Sequence, residues 1–298
     1  MSACMLCPRK CGADRAAGEV GLCHTSADIF VARAAAHMFE EPPISGTRGS
    51  GTVFFAGCNL SCVFCQNQAI SRGDAGAPIS DSRLYEIFFE LAEQGAENIY
   101  LVTPSHYTER LIPILQSAKA DGLSLPIVWN SSAYESVQSI RALSGLVDIY
   151  LPDFKYADAK TAARYANAPD YPEVALTVID EMVRQQPNPT FDQNGKMTRG
   201  VIVRHLVLPS HVGAAKRALR MLFDRYGNGV YYSIMRQYTP MGALDNYPEL
   251  SRPITDREYD RVCDYAAALG IENGFLQEGD SVGESFIPAF DLQGVLKK

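Results

Sequence analysis

The segment Gly57-Cys58-Asn59-Leu60-Ser61-Cys62-Val63-Phe64-Cys65-Gln66-Asn67 sets three thiols on one short stretch, spaced three and then two residues apart. Three soft ligands on one loop suit three corners of an iron–sulfur cube and leave a fourth iron without a protein ligand, open for chemistry. The bland readings are a zinc site, a disulfide with a spare thiol, or buried structural thiols. Structural zinc takes four ligands, and neither a His nor a fourth Cys lies in this loop. The spacing therefore predicts a site-differentiated iron–sulfur cluster at Cys58, Cys62 and Cys65.

A second set, Cys4, Cys7, Cys11 and Cys23, could place four thiolates on one metal, with Gly12, Gly18 and Gly21 permitting the turns. A structural zinc, an auxiliary iron–sulfur cluster and unmetallated thiols all remain open, since tetrahedral thiolate coordination suits both metals. Cys263 stands alone in a helical pattern and reads as a core residue. Asp153 and Lys155, two apart, share one face of a strand and can both point to one site or form an ordinary ion pair. Arg204 and His205 are neighbours on a strand, so only one can face the same way as a site. Arg204, whose planar fork pairs with anions, is the better candidate. Glu40, Glu41 and Arg48 read as solvated loop charges.

The elements that must position these groups are legible from hydrophobic period. Strand candidates fall at Thr52–Ala56, Asn98–Val102, Pro126–Asn130, Val147–Leu151, Val201–Leu208 and Val230–Met235. A helix capped by Ser80 or Asp81 carries Leu84, Ile87, Phe88 and Leu91 on one face. Further helices are predicted at Thr108–Ala120, Tyr134–Leu143, Pro172–Gln185, Gly213–Tyr226 and Thr255–Leu269. Asn194-Gly195 predicts a small β-ribbon before the fifth strand. Six βα units imply a parallel sheet flanked by helices, closing or nearly closing into a barrel whose chemistry gathers at the C-terminal strand ends. Those ends carry the cysteine loop, Thr103-Pro104-Ser105-His106, Asn130-Ser131-Ser132, Pro152-Asp153-Phe154-Lys155 and Arg236-Gln237-Tyr238. The chain divides into a cysteine-rich N-terminal extension (1–50), a barrel (51–240) and a C-terminal helix/strand extension (241–298). The N-terminal segment and the β-ribbon are both expected to narrow the barrel mouth.

Composition bounds the class. With 298 residues, 47% hydrophobic and 20% charged, the chain can bury a large core, and its net charge of −7 argues against a nucleic-acid groove. The N-terminus lacks the pattern of a secretory signal, and no apolar run reaches the roughly 18 residues of a membrane span. Eight cysteines then suit metal binding in a reducing cytoplasm better than disulfides.

Cys58-x3-Cys62-x2-Cys65 after a first strand, with aromatic Phe64 before the last cysteine, resembles the radical SAM superfamily. The resemblance implies a partial (β/α)6 barrel in which three cysteines hold a [4Fe–4S] cluster and S-adenosylmethionine (SAM) chelates the fourth iron. Reduction of that cluster cleaves SAM to a 5′-deoxyadenosyl radical, which abstracts hydrogen from a substrate. More narrowly, the chain is similar to uncharacterised relatives of pyruvate formate-lyase activating enzyme. The pieces are Cys4-x2-Cys7-Pro8-Arg9-x-Cys11-Gly12, Glu41-Pro42-Pro43-Ile44-Ser45-Gly46, Cys65-Gln66-Asn67, Leu151-Pro152-Asp153-Phe154-Lys155-Tyr156, Val203-Arg204-His205-Leu206 and Phe286-Ile287-Pro288.

By this resemblance Phe64 would pack near adenine. Thr103 and Ser105 would replace the Gly-Gly-Glu that contacts the SAM amino group in many members. His106 would carry protons or touch substrate, or else simply pack at a helix start. Asp153-x-Lys155 resembles the pair that holds a monovalent cation beside the SAM carboxylate in glycyl-radical activating enzymes, although Asn130 stands where those enzymes carry an acid. Arg204 would reach SAM or a substrate carboxylate, or else pair with a structural acid, while Gln237 and Tyr238 would touch adenine or substrate. The implied activity is hydrogen abstraction from a protein glycine, with His106, Lys155 and Tyr238 as catalytic candidates and reduced flavodoxin or ferredoxin as donor. Radical chemistry on a small molecule is the alternative. A non-catalytic iron–sulfur or zinc protein with a structural or redox-sensing role is the third reading.

Overall fold

The computed structural model describes residues 3–277 and 288–297. Its strands are β1 (Ile29–His37), β2 (Ser50–Phe55), β3 (Ala77–Ile79), β4 (Ile99–Val102), β5 (Ile127–Ser131), β6 (Ile149–Pro152), β7 (Thr190–Phe191), β8 (Met197–Leu206), β9 (Tyr231–Met235) and β10 (Gly274–Leu276). They form one sheet in the order β10-β9-β8-β6-β5-β4-β2-β1-β3, with β7 beside β8. From β2 through β10 the path is parallel, while β1 runs antiparallel to both β2 and β3. The helices are α1 (Pro42–Ser45), α2 (Gln68–Ser71), α3 (Asp81–Glu93), α4 (Thr108–Ala120), α5 (Val137–Ala142), α6 (Ala159–Ala166), α7 (Tyr171–Gln185), α8 (Val212–Tyr226) and α9 (Asp256–Leu269). This is the mixed α/β architecture with a mostly parallel central sheet that the six βα units predict.

Strand alternation divides two cores. Val53, Phe55, Leu101, Trp129, Tyr150 and Val203 face the helices. Phe54, Tyr100, Val128, Leu151 and Ile202 fill the opposite face. A sheet covered on both faces needs apolar residues in succession, which is why its strands read as continuous hydrophobic runs. Helix α3 begins where the Ser80 hydroxyl accepts the Arg83 amide, and it buries Leu84, Ile87, Phe88 and Leu91 as the 3.6-residue period requires.

Several elements differ from expectation. A nine-residue strand, β1, which is not among the predicted strands, runs from Ile29 through Ala34-Ala35-Ala36 and lies along β2. Alanine's weak strand preference hides this element from a sequence reading. The Pro42-Pro43 stretch, which follows the two acids read as loop charges, makes the helical turn α1, since proline suits first helical positions. Helix α6, absent from the sequence reading, starts at the Asp158 cap and ends at Asn167, whose φ of 48° is left-handed.

The ribbon forms as Asn194-Gly195 predicts, with Thr190 opposite Arg199 and Phe191 opposite Met197. Its position corrects the expectation that it narrows the barrel mouth. Gly200, just past the ribbon, pairs with Ile149 at the start of β6. The ribbon therefore leaves the N-terminal end of the parallel sheet, opposite the cysteine loop.

Candidate active site

Strand β2 ends at Phe55, and Gly57, two residues on, turns the chain with φ 88°. The turn brings the Cys58 amide to the Cys23 carbonyl at 3.0 Å, while the Gly57 amide donates to the Ile70 carbonyl at 2.7 Å. Farther along, the Val63 amide donates to Tyr165 O at 2.9 Å. The Tyr156 hydroxyl lies 3.7 Å from Cys62 Sγ. All three thiols line one cleft of about 1450 Å³, counted with its open mouth. None of the chain's eight cysteines is in a disulfide. Burial, then the neighbouring Cys62 and Cys65, pushes the Cys58 thiol up to about 12, while Lys155 works in the opposite direction.

The same cleft is lined by Phe64, Thr103, Asn130, Asp153, Lys155, Arg204 and Gln237. Strand register accounts for this convergence, because β4, β5, β6 and β8 are adjacent and parallel and end at the same level. Arg204 Nε donates to Asp153 Oδ1 at 2.8 Å, and Nη2 donates to Asn130 Oδ1 at 2.6 Å. Lys155 Nζ donates to the second Asp153 oxygen at 2.6 Å. Burial alone would raise the Asp153 pKa, but Arg204 and Lys155 hold it below the usual carboxylate range. The strand alternation resolves the Arg204/His205 choice: Arg204 faces the cleft, and His205 is buried with Nδ1 2.6 Å from Phe154 O.

Three expected site residues do not line this cleft. Ser105, His106 and Tyr107 form a buried 3-10 turn that folds away from it. Ser105 is turned to Glu135. His106 Nε2 sits 2.9 Å from Ala56 O, so it carries the proton, leaving buried Nδ1 without a partner. Burial holds the His106 pKa down at about 3, so the ring is neutral near pH 7. Tyr238 donates to Leu250 O at 2.6 Å and packs edge-on against Phe64 at 5.8 Å between centroids.

The structure adds groups that sequence reasoning set aside. Glu40, expected as a solvated charge, lines the cleft and accepts the Tyr100 hydroxyl at 2.6 Å. Arg204 Nη1 lies 3.7 Å from Glu40 and 3.9 Å from Glu41, and His37 Nε2 lies 3.8 Å from Glu40. Burial and the Glu41 charge push the Glu40 pKa to about 7. Glu41 is buried too, and its Oε2 has no hydrogen-bond partner. Arg48 does stay at the surface, paired with Glu97 at 3.0 Å. The signal available beforehand was the placement of Glu40-Glu41 directly before two prolines, which fixes the chain's direction at that point.

Among the N-terminal thiols, Cys7 and Cys23 are buried and Cys4 and Cys11 are partly exposed. A Cβ on Gly21 would fall 3.3 Å from Cys11 Sγ and 3.4 Å from Cys23 Sγ. Among the described residues, no three His, Cys, Asp or Glu side chains are grouped as ligands of a single metal ion. A three-thiol cluster site asks for wider spacing than a single ion does. Phe286 and Ile287, which carry part of the sequence resemblance, lie outside the described residues. No helix among the described residues is long and apolar enough to cross a membrane.

The fold and the three-thiol cleft define a mostly parallel α/β protein of the architecture found in the radical SAM enzymes SuiB and HydG. SuiB of Streptococcus suis, in its structure bound to S-adenosylmethionine, superposes with a TM-score of 0.52 and 11% identity, covering 75% of this chain and 49% of that one. The FeFe-hydrogenase maturase HydG of Carboxydothermus hydrogenoformans gives 0.50 and 10%, covering 74% and 52%. At these identities the likeness is one of fold, and the chain spans about half the length of either solved chain. The family described as "4Fe-4S single cluster domain" matches residues 45–167, which contain the cysteine loop. The uncharacterized protein MJ0674 of Methanocaldococcus jannaschii is 26% identical over 280 residues, covering 90% of this chain and 75% of that protein.

Proposed function

We propose that the chain is a radical SAM enzyme that abstracts hydrogen from a peptide or protein backbone. One observation carries the reading: three unpaired thiols share a cleft with Asp153, Lys155, Arg204 and Gln237. The donor set fits the cofactor, since three soft ligands and no fourth suit a cluster with one open iron. Cys58, Cys62 and Cys65 would hold a [4Fe–4S] cluster there, which would supply the electron for reductive cleavage of SAM. The chain's own groups bind and orient. Lys155 and Arg204 present positive charge toward an anionic group such as the SAM carboxylate, and Asp153 holds both in place. Phe64 offers an aromatic edge beside the thiols, and Thr103 and Gln237 offer polar atoms. Glu40 and Tyr100 hold a proton between them at the cleft.

The backbone substrate draws support from the Asp153-x-Lys155 pair and from SuiB, whose structure is also known bound to the precursor peptide SuiA. A reduced flavodoxin or ferredoxin is the proposed electron donor, and a reducing cytoplasm the compartment. The N-terminal thiols are proposed as a second thiolate centre, zinc or iron–sulfur. Anaerobic reconstitution followed by dithionite reduction in SAM tests the main reading, with 5′-deoxyadenosine and methionine as products. Reconstituted protein that binds iron and sulfide yet yields no 5′-deoxyadenosine would leave a structural or redox-sensing protein instead. Cleavage that only small molecules stimulate, across peptide and small-molecule panels, would replace the backbone substrate.

A further inference from the structure

The Arg9 side chain lies outside the cleft, in the N-terminal motif that the proposed reaction does not use. Its guanidinium makes three bonds to backbone carbonyls on two separate segments. Nε donates to Asn59 O at 2.9 Å, one residue beyond Cys58. Nη2 donates to Ala166 O at 3.0 Å, and Nη1 donates to Asn167 O. Those last two carbonyls close the C-terminus of α6, where backbone acceptors lack helical partners and a cation is favoured. The neighbouring residue in the same turn, Tyr165, accepts the Val63 amide at 2.9 Å, between Cys62 and Cys65. The guanidinium also stacks over the Tyr134 ring, 5.1 Å from its centroid, and Tyr134 O accepts the Asn59 side-chain amide at 2.5 Å. One side chain thus ties the Cys58 end of the loop to the helix end that holds the Cys62–Cys65 half.

We propose that Arg9 is a positioning residue for the cluster loop, setting the separation of Cys58 from Cys62 and Cys65 without touching cofactor or substrate. This rests on the radical SAM reading of the same loop. A planar fork anchored to three fixed carbonyls constrains both halves at once, which a flexible ammonium on a single bond cannot match. Partners of this kind, behind the ligands themselves, commonly change metal retention about 10- to 100-fold when removed.

The test compares Arg9→Gln, Arg9→Lys and Arg15→Gln in the full chain, each anaerobically reconstituted beside the parent. Arg15 belongs to the same N-terminal segment but bonds Ser26 O and His106 O rather than the loop, so it controls for general loss of stability. The readouts are iron and sulfide per chain, the rate of cluster loss to a chelator, the electron paramagnetic resonance (EPR) spectrum of the reduced cluster with and without SAM, and the thermal midpoint. Arg9→Gln is expected to lose its cluster to chelator at least about tenfold faster than the parent and to show a changed SAM-dependent spectrum. Arg9→Lys should fall between them and carries the test if the Gln variant does not fold. Parent-like retention and spectra in both Arg9 variants overturn the proposal. So does equal cluster loss in Arg15→Gln at a matched thermal midpoint, which would make the effect one of stability alone. Failure of the parent to bind a cluster or to cleave SAM would instead overturn the radical SAM reading.

Discussion

Glu40 offers a direct measure of how the cleft handles charge. Its side chain is only 11% exposed, bonded by Tyr100, and shares Arg204 with Asp153 and Glu41. In the unfolded chain it releases its proton near the ordinary value of 4.5, whereas in the fold burial moves this to about 7. Between those limits the folded chain keeps a proton that the unfolded chain has lost. Stability contributed by this group is therefore full below about pH 4.5 and falls as pH rises to about 7. At roughly 1.4 kcal/mol per pH unit, that interval corresponds to about 3 kcal/mol. Glu40→Gln keeps an acceptor for Tyr100 and removes the titration. Urea unfolding of parent and variant between pH 5 and pH 8, at constant ionic strength, is the assay. The variant should gain on the parent by about 3 kcal/mol across that range and be the more stable at pH 8. Parallel pH curves, or a parent that gains on the variant as pH rises, would refute the reasoning.

Three further outcomes follow from the same structure. Cys62→Ser should abolish reductive formation of 5′-deoxyadenosine while preserving the circular dichroism of the fold, because Cys62 packs beside the core without holding it together. Gly57→Ala should destabilise the chain by about 2 kcal/mol or more and weaken cluster retention, since its φ is 88° and the added Cβ would lie 2.6 Å from Cys23 O; unchanged urea midpoints would contradict this. SAM cleavage should be insensitive to exchange of sodium or potassium for tetramethylammonium, because the Arg204 guanidinium already bridges Asp153 and Asn130. A severalfold loss on removing small monovalent cations would show that a metal ion, not Arg204, balances Asp153.

Features written in local chemistry were legible from the chain alone. The thiol spacing needs only eight consecutive residues to be read, and strands buried on both faces announce themselves as apolar runs. Asp153 and Lys155 were accessible because a two-residue step preserves the face of a strand. What required the third dimension was direction and register. Four of the nine residues of β1 are alanine, so the antiparallel pairing that carries the chain back to Glu40 has no periodic signature. The Asn194-Gly195 turn was visible, but not that it leaves the far end of the sheet. Ser105, His106 and Tyr238 follow strand ends as the true cleft residues do. A 3-10 turn and a bond to Leu250 O direct them elsewhere, and neither follows from residue type.

The contact between β1 and residues 288–295 bears on how the molecule assembles. Ala34 N donates to Gln293 O at 2.8 Å, Leu292 N donates to Ala32 O at 3.0 Å, and Arg33 reaches Ala289 O across 256 residues of chain. Pro288, in the same segment, lines the cleft. Closing a loop of that length from an unfolded chain costs about 5 kcal/mol in entropy, more than these three bonds return at about 1 kcal/mol each, so the contact is expected to form after the parallel strands have shortened the effective distance. The thiol loop, carried on β2, is then in place before the outer wall reaches it. Pulse-labelled hydrogen exchange should show the Ala34 amide protected later than that of Leu101 or Trp129. Simultaneous protection would place the wall in the folding nucleus. Late closure would leave an interval in refolding during which iron and sulfide reach the thiols across a side that the finished protein covers.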